Sequence, residues 1–168
     1  MTNTNLMRCG RAPFPSAGAA ALDLPGTSHE LAPGAEELGL ITMVGPWAVR
    51  LREGRRTAME VYEYGELLDV VVESSLGGSG VRGARRGPAG GAGGGAVSCA
   101  WGRLPPCGAP PPVRFLTGGL RRRTAGADTV RTAGRFWFGS AAGEFRWVRL
   151  SAASGCACAG RPEQGRTA

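Results

Sequence analysis

What most limits this sequence is its small number of large apolar side chains. Leu, Val, Phe and Ile together make up 31 of 168 residues. That share falls below the roughly 20% associated with disordered chains. The nominal hydrophobic fraction of 42% is carried largely by 25 alanines, which bury little surface each. Against this stand 29 Gly and 12 Pro. Glycine adds chain entropy that folding must overcome and brings no side chain to bury. The composition therefore predicts a mostly disordered, low-complexity chain. Within it, order is limited to small β-hairpin or α+β modules near 38–76 and 134–151.

The remaining composition has a simple source. Every basic residue is an arginine, isoleucine and glutamine occur once each, and Gly, Ala, Arg and Pro fill 86 positions. Those four residues have GC-rich codons, whereas lysine, asparagine and isoleucine have AT-rich ones. The first functional expectation is thus a lineage-restricted or unselected product of a GC-rich open reading frame, with no defined biochemistry. The alternative is a non-enzymatic, Arg-rich protein that binds RNA or DNA non-specifically through residues 81–150.

Charge divides the chain. Asp23 to Glu73 holds ten acids and four arginines, while Ser74 to Ala168 holds fourteen arginines and three acids. A basic half suits nucleic acid or another polyanion. It equally suits attraction between the two halves of one molecule.

Five segments follow from local pattern. Residues 1–37 lack a sustained period and are expected as a disordered N-terminus. Residues 38–76 are the acidic module. In it Trp47, Val49 and Leu51 alternate with Ala48, Arg50 and Arg52, and Met59 and Val61 share a face after a turn near Gly54. That alternation is the period of a half-buried strand, and it places Arg50 or Arg52 opposite Glu60 or Glu63. Helix and strand compete for 55–73, because Val61, Tyr64, Leu68 and Val71 also recur at three- and four-residue steps. Residues 77–112, half Gly and Pro, are expected as a linker that cannot bury enough surface to order itself. Residues 113–151 form a basic, aromatic segment, with a hairpin expected between Phe136–Phe138 and Phe145–Leu150. Residues 152–168 read as a disordered tail.

The candidate binding residues are the clustered arginines and the aromatics beside them: Arg82, Arg85, Arg86, Arg121, Arg122, Arg123, Arg135, Trp137, Arg146, Trp147 and Arg149. Guanidinium groups bind phosphate through a planar fork, and indole rings stack on unpaired bases. Arg121-Arg122-Arg123-Thr124 also matches the pattern favoured by basophilic kinases.

Catalysis has little to work with. The lone His29 sits in a Pro/Gly-rich stretch, and no nucleophile elbow, phosphate loop or zinc-protease motif occurs. Glu60, Glu63, Glu66, Asp69 and Glu73 read as a solvated acidic face. Cys99–Cys107 and Cys156–Cys158 lack the close spacing of structural zinc sites. The cysteines are expected as ordinary free thiols, and the protein as a non-enzyme without metal or cofactor. No apolar run approaches the roughly 18 residues of a membrane span, and no signal-peptide core follows Met1. The expectation is a soluble intracellular protein, of the nucleus or nucleolus if it binds nucleic acid. Arg8 and Arg11 give residues 1–22 some flavour of a transit peptide. Pro13 and Pro15 count against such targeting.

Overall fold

The computed structural model describes residues 6–11, 37–73, 80–90, 94–119 and 123–151. The acidic module folds as its alternation predicts. Trp47–Arg52 (β4) is antiparallel to Ala58–Glu63 (β5), with Val49 opposite Val61 and Leu51 opposite Met59. Glu37–Val44 (β3) and Glu66–Val72 (β6) flank this pair, giving a four-stranded meander in the order β3-β4-β5-β6. The competition between helix and strand over 55–73 resolves to strand. Tyr64-Gly65 closes the β5–β6 turn with φ of 53° and 84°. Two consecutive positive φ values match a two-residue hairpin whose twist suits its strands.

The other strands form two further sheets. They are Leu6–Arg8 (β1), Gly10–Arg11 (β2), Gly80–Pro88 (β7), Ala96–Arg103 (β8), Val113–Leu116 (β9), Thr124–Gly126 (β10), Thr129–Ala133 (β11), Phe136–Ala142 (β12) and Trp147–Leu150 (β13). A five-stranded sheet runs β11-β12-β8-β7-β2, and a four-stranded sheet runs β1-β13-β9-β10. The five-stranded sheet lies in the middle. Val97, Cys99, Trp101, Phe136 and Phe138 on one of its faces cluster with Trp47, Val49, Leu51, Met59, Val61 and Val71 of the meander. Ala84, Ala100, Trp137 and Ala141 on its other face cluster with Val113, Phe115 and Val148 of the outer sheet.

The central and outer sheets are continuous at both edges. Ala127 N–H donates to the Val113 carbonyl at 3.0 Å, and Asp128 N–H donates to the Ser140 carbonyl at 2.8 Å. Between those two residues the chain passes from one ladder to the other. At the opposite edge Cys9 N–H donates to the Arg146 carbonyl at 2.8 Å, and Gly10 then pairs with Arg85. The two sheets thus close as a flattened barrel, with the meander packed on its outside.

This architecture overturns the expectation of a mostly disordered, low-complexity chain. It also overturns the idea of an unselected, structureless product of a GC-rich frame. Three sheets share two buried clusters, and ion pairs and part-buried hydrogen bonds tie the meander to the central sheet. The physical reason is that a count of large aliphatics undervalues small residues. Among the largest fully buried side chains are Trp47, Trp101, Trp137, Phe115 and Phe136. Glycines give the indoles their room: Gly83 pairs with Trp101 and Gly102 with Trp137. A Cβ on Gly83 would collide with the Trp101 ring, and one on Gly102 would collide with the Gly80 carbonyl and lie 3.1 Å from the Trp137 indole nitrogen. A glycine facing an aromatic across a ladder is a known means of covering the missing side chain.

The Gly/Pro/Ala-rich stretch expected to stay unordered supplies β7 and β8, and Leu6–Arg11 of the expected N-terminal coil supplies β1 and β2. The hairpin expected between Phe136–Phe138 and Phe145–Leu150 does not form. β12 pairs with β8 and β11, whereas β13 pairs with β1 and β9 in the other sheet. The chain leaves the central sheet at Gly143, with φ of 121°. The buried Ser98 hydroxyl fixes that crossover, donating to the Gly143 carbonyl at 2.9 Å and accepting from Phe145 N–H at 3.1 Å. Expectations for residues 12–36 and 152–168, including His29, Cys156 and Cys158, lie outside the described residues, as does most of the 1–22 stretch.

Candidate polyanion-binding face

Strands β1, β13, β9 and β10 present one face to the barrel interior and one to solvent. Met7, Val148, Leu150, Val113, Phe115 and Ala125 point inward and join the cluster beneath. Period-two alternation then turns the intervening residues outward. Cross-strand register arranges these in two rows. Arg8, Trp147, Leu116 and Thr124 form one row; Leu6, Arg149, Arg114 and Gly126 form the other. Arg8 and Arg114 are exposed, Arg149 and Trp147 are half-buried, and Leu6 is 48% exposed.

No acid lies within these four strands. Arg149 and Arg114 stand directly opposite one another across the β13–β9 ladder. Like charges at such a position, with Cβ atoms about 4.5–5.5 Å apart, destabilise a sheet. Two more exposed arginines mark one end of the face. Arg123 precedes β10, where its N–H donates to Thr117 Oγ1 at 2.8 Å. Arg146 precedes β13, and its side chain extends over Gly118. Among the described residues, none of Arg8, Arg114, Arg146 and Arg149 forms a salt bridge.

The other sequence candidates are placed differently. Arg82, Arg85 and Arg86 lie together on β7, each facing a carboxylate: Asp69 at 3.6 Å, Glu63 at 3.9 Å and Glu144 at 3.3 Å. Arg135 lies 3.9 Å from Glu73. The basic half thus attracts the acidic half within one molecule at Asp69, Glu63 and Glu73. Trp137 is buried and donates its indole N–H to the Arg103 carbonyl at 3.1 Å, which leaves its ring no face for a base. Arg121 and Arg122 lie outside the described residues. Of the sequence candidates, Trp147 and Arg149 share the open face, with Arg146 and Arg123 at its end. Arg8 and Arg114 are additions that sequence reasoning does not single out. Their signal is the alternation in Leu6-Met7-Arg8 and Val113-Arg114-Phe115, three- and four-residue strands too short to stand out beside a Pro triplet and an irregular N-terminal stretch.

The acidic residues of the meander are also engaged. Glu60 accepts from Arg52 at 3.1 Å and from the Tyr62 hydroxyl at 2.6 Å. Glu63 accepts from the Trp47 indole at 2.9 Å, and Asp69 accepts from the Trp101 indole at 3.0 Å. Arg50 lies over the Tyr62 ring, 5.4 Å from its centroid.

The thiols divide. Cys9 and Cys99 are free and buried, whereas Cys107 is disulfide-bonded, unlike the free thiol expected of it. Burial pushes the Cys9 thiol up to about 11 against the pull of the Arg86 and Arg85 guanidiniums, and it pushes Cys99 well above the ordinary thiol range. Neither is activated as a nucleophile. Among the described residues, no cluster of three His, Cys, Asp or Glu side chains could hold a metal ion. No helix of the described residues is long and apolar enough to cross a membrane. No family model, curated protein or solved structure matches the chain.

Proposed function

We propose that the solvent face of the sheet β1-β13-β9-β10 binds the phosphates or sulfates of a polyanion, and that the protein acts by binding rather than by catalysis. One observation carries this. Arg114 and Arg149 oppose each other directly on a face whose strands hold a third arginine and no acid. An anion bridging the two guanidiniums would turn a repulsive pair into a two-pronged clamp. The binding surface is an ordered sheet, not a flexible Arg/Gly segment. The β7 arginines serve cohesion between layers instead.

A non-catalytic role is supported by the carboxylates. Glu60, Glu63 and Asp69 each accept hydrogen bonds from neighbouring side chains, so all three are used in holding the fold together. An RNA-rich compartment such as the nucleolus is where such a face would meet its ligand.

The test is elution from immobilised heparin under a salt gradient. The double variant R114Q/R149Q should elute at clearly lower salt than the parent. R131Q, which removes an exposed arginine on β11 of the central sheet, should elute with the parent. In solution, each lost arginine–phosphate contact should flatten the log K against log salt slope by about one. Unchanged elution of R114Q/R149Q would refute the proposal.

A further inference from the structure

The chemistry of the face is not charge alone. Arg8 is followed across the sheet by Trp147 and Leu116, and Leu6 is followed by Arg149 and Arg114. Strands β1, β13 and β9 therefore each present an arginine next to an apolar group on the same face. Leu6, Leu116 and Trp147 belong to neither buried cluster. Among the described residues, neither cluster accounts for their outward position.

A ligand made only of charge, such as polyphosphate, would pair with the arginines and leave this apolar surface wet. A ligand carrying both phosphates and flat rings would use all of it. Nucleic acid has that combination, but a duplex hides the ring faces within its own stack. Duplex grooves are entered by a helix or a two-stranded ribbon. Here the arginines lie on the surface of a four-stranded sheet, and the described residues contain no helix. Single strands, by contrast, bind where basic groups track the backbone and aromatic faces receive the bases. Trp147 lies beside Arg8 across the ladder and two residues from Arg149 along the strand, about 7 Å for an extended chain.

We infer that the face takes single-stranded nucleic acid, with one base stacked on Trp147 and the adjoining phosphates held by Arg149, Arg114 and Arg8. This rests on the polyanion-binding proposal above and narrows its ligand to one class.

Trp147 supplies its own readout. The other three tryptophans, Trp47, Trp101 and Trp137, are at most 2% exposed. A stacked base should therefore quench only the emission of Trp147. Four probes separate the outcomes: a ten-nucleotide oligouridylate, a ten-base-pair RNA duplex, heparin and inorganic polyphosphate. The oligouridylate should quench the emission of the unsubstituted protein, and bind more tightly than the duplex or polyphosphate. W147L keeps apolar bulk on the strand but removes the ring. It should lose about 5- to 100-fold in oligouridylate affinity and nothing for polyphosphate. W147F keeps a ring and should retain most of the affinity. Equal affinity for all four probes, or W147L binding oligouridylate like the parent, overturns the single-strand assignment while leaving polyanion binding intact. Failure of every probe to bind overturns both. The quenching arm uses no substitution, so it holds even if W147L does not fold.

Discussion

Cys9 stands where the chain passes from the outer sheet to the central one, its thiol buried near Arg85 and Arg86. The fold holds that thiol protonated up to about pH 11, against an ordinary value of 9.0. An unfolded chain would ionise it earlier. Between pH 9 and 11 the unfolded state therefore binds fewer protons, and stability falls as pH rises through that window. The loss from Cys9 is up to about 2–3 kcal/mol. Urea titrations across pH 8 to 11 should show the decline, and C9A should make it shallower without removing it, because burial also holds the Cys99 thiol protonated. Within the same protein, neither Cys9 nor Cys99 should react with iodoacetamide at pH 8 until denaturant is added. A second prediction concerns Glu63, which accepts the hydrogen bond of the fully buried Trp47 indole. E63A leaves that buried donor without its acceptor, at a cost of about 1–3 kcal/mol. E63Q keeps an acceptor and should cost less. Equal losses from both variants would mean that the ion pair with Arg85 matters more than the indole bond.

At the scale of elements, the sequence is readable where a strand has one wet face and one dry face. Trp47, Val49 and Leu51 alternate with Ala48, Arg50 and Arg52 because β4 has the core on one side only. That contrast is enough to locate the β4–β5 hairpin and to bring Arg50 or Arg52 near Glu60 or Glu63, and the structure selects Arg52–Glu60 among those pairings. Strand β8 gives no such contrast. The central sheet is covered on both faces, so Val97, Ser98, Cys99, Ala100, Trp101 and Gly102 are all buried and no period of two appears. Its small residues resemble a linker in composition, yet they are what lets two layers close on the tryptophans. The same limit applies to the candidate face. Trp147 and Arg149 stand out as basic and aromatic neighbours, but Arg8 and Arg114 join them only through pairings between distant segments. G83A tests the packing account directly. The added methyl meets the Trp101 ring, which is held by Asp69, so the ring has little freedom to yield. A cost of roughly 1–3 kcal/mol is expected. G65A places its methyl in open space and should show only the milder penalty of a positive φ.

For the molecule as a whole, the shared central sheet predicts one unfolding event. Among the described residues, the meander buries its apolar face mainly against β8 and β12, and the outer sheet buries its own mainly against the opposite side of the same layer. Loss of either cover would expose tryptophans of the middle layer. Far-ultraviolet circular dichroism and tryptophan emission should therefore change at one urea concentration. Two separated transitions would show that the meander detaches alone. The ion pairs Arg82–Asp69, Arg85–Glu63 and Arg135–Glu73 join the layers, but their separations of 3.6–3.9 Å are long, and pairs open to solvent such as Arg135–Glu73 contribute at most about 1 kcal/mol. Moderate salt should shift the midpoint only slightly.

The pairing of β1 with β13 sets Leu6 opposite Arg149, about 140 residues away along the chain. Contacts between such remote segments slow folding, because a large loop must close before they yield any stabilisation. During synthesis the β1 strand has no partner until β13 has left the ribosome. The meander, built from hairpins between neighbouring strands, can form long before. Arg8, carried on β1, joins Trp147 and Arg149 only in that last step. The basic, aromatic face is therefore completed only when the full barrel has closed, and a nascent chain that stops short of residue 150 lacks it.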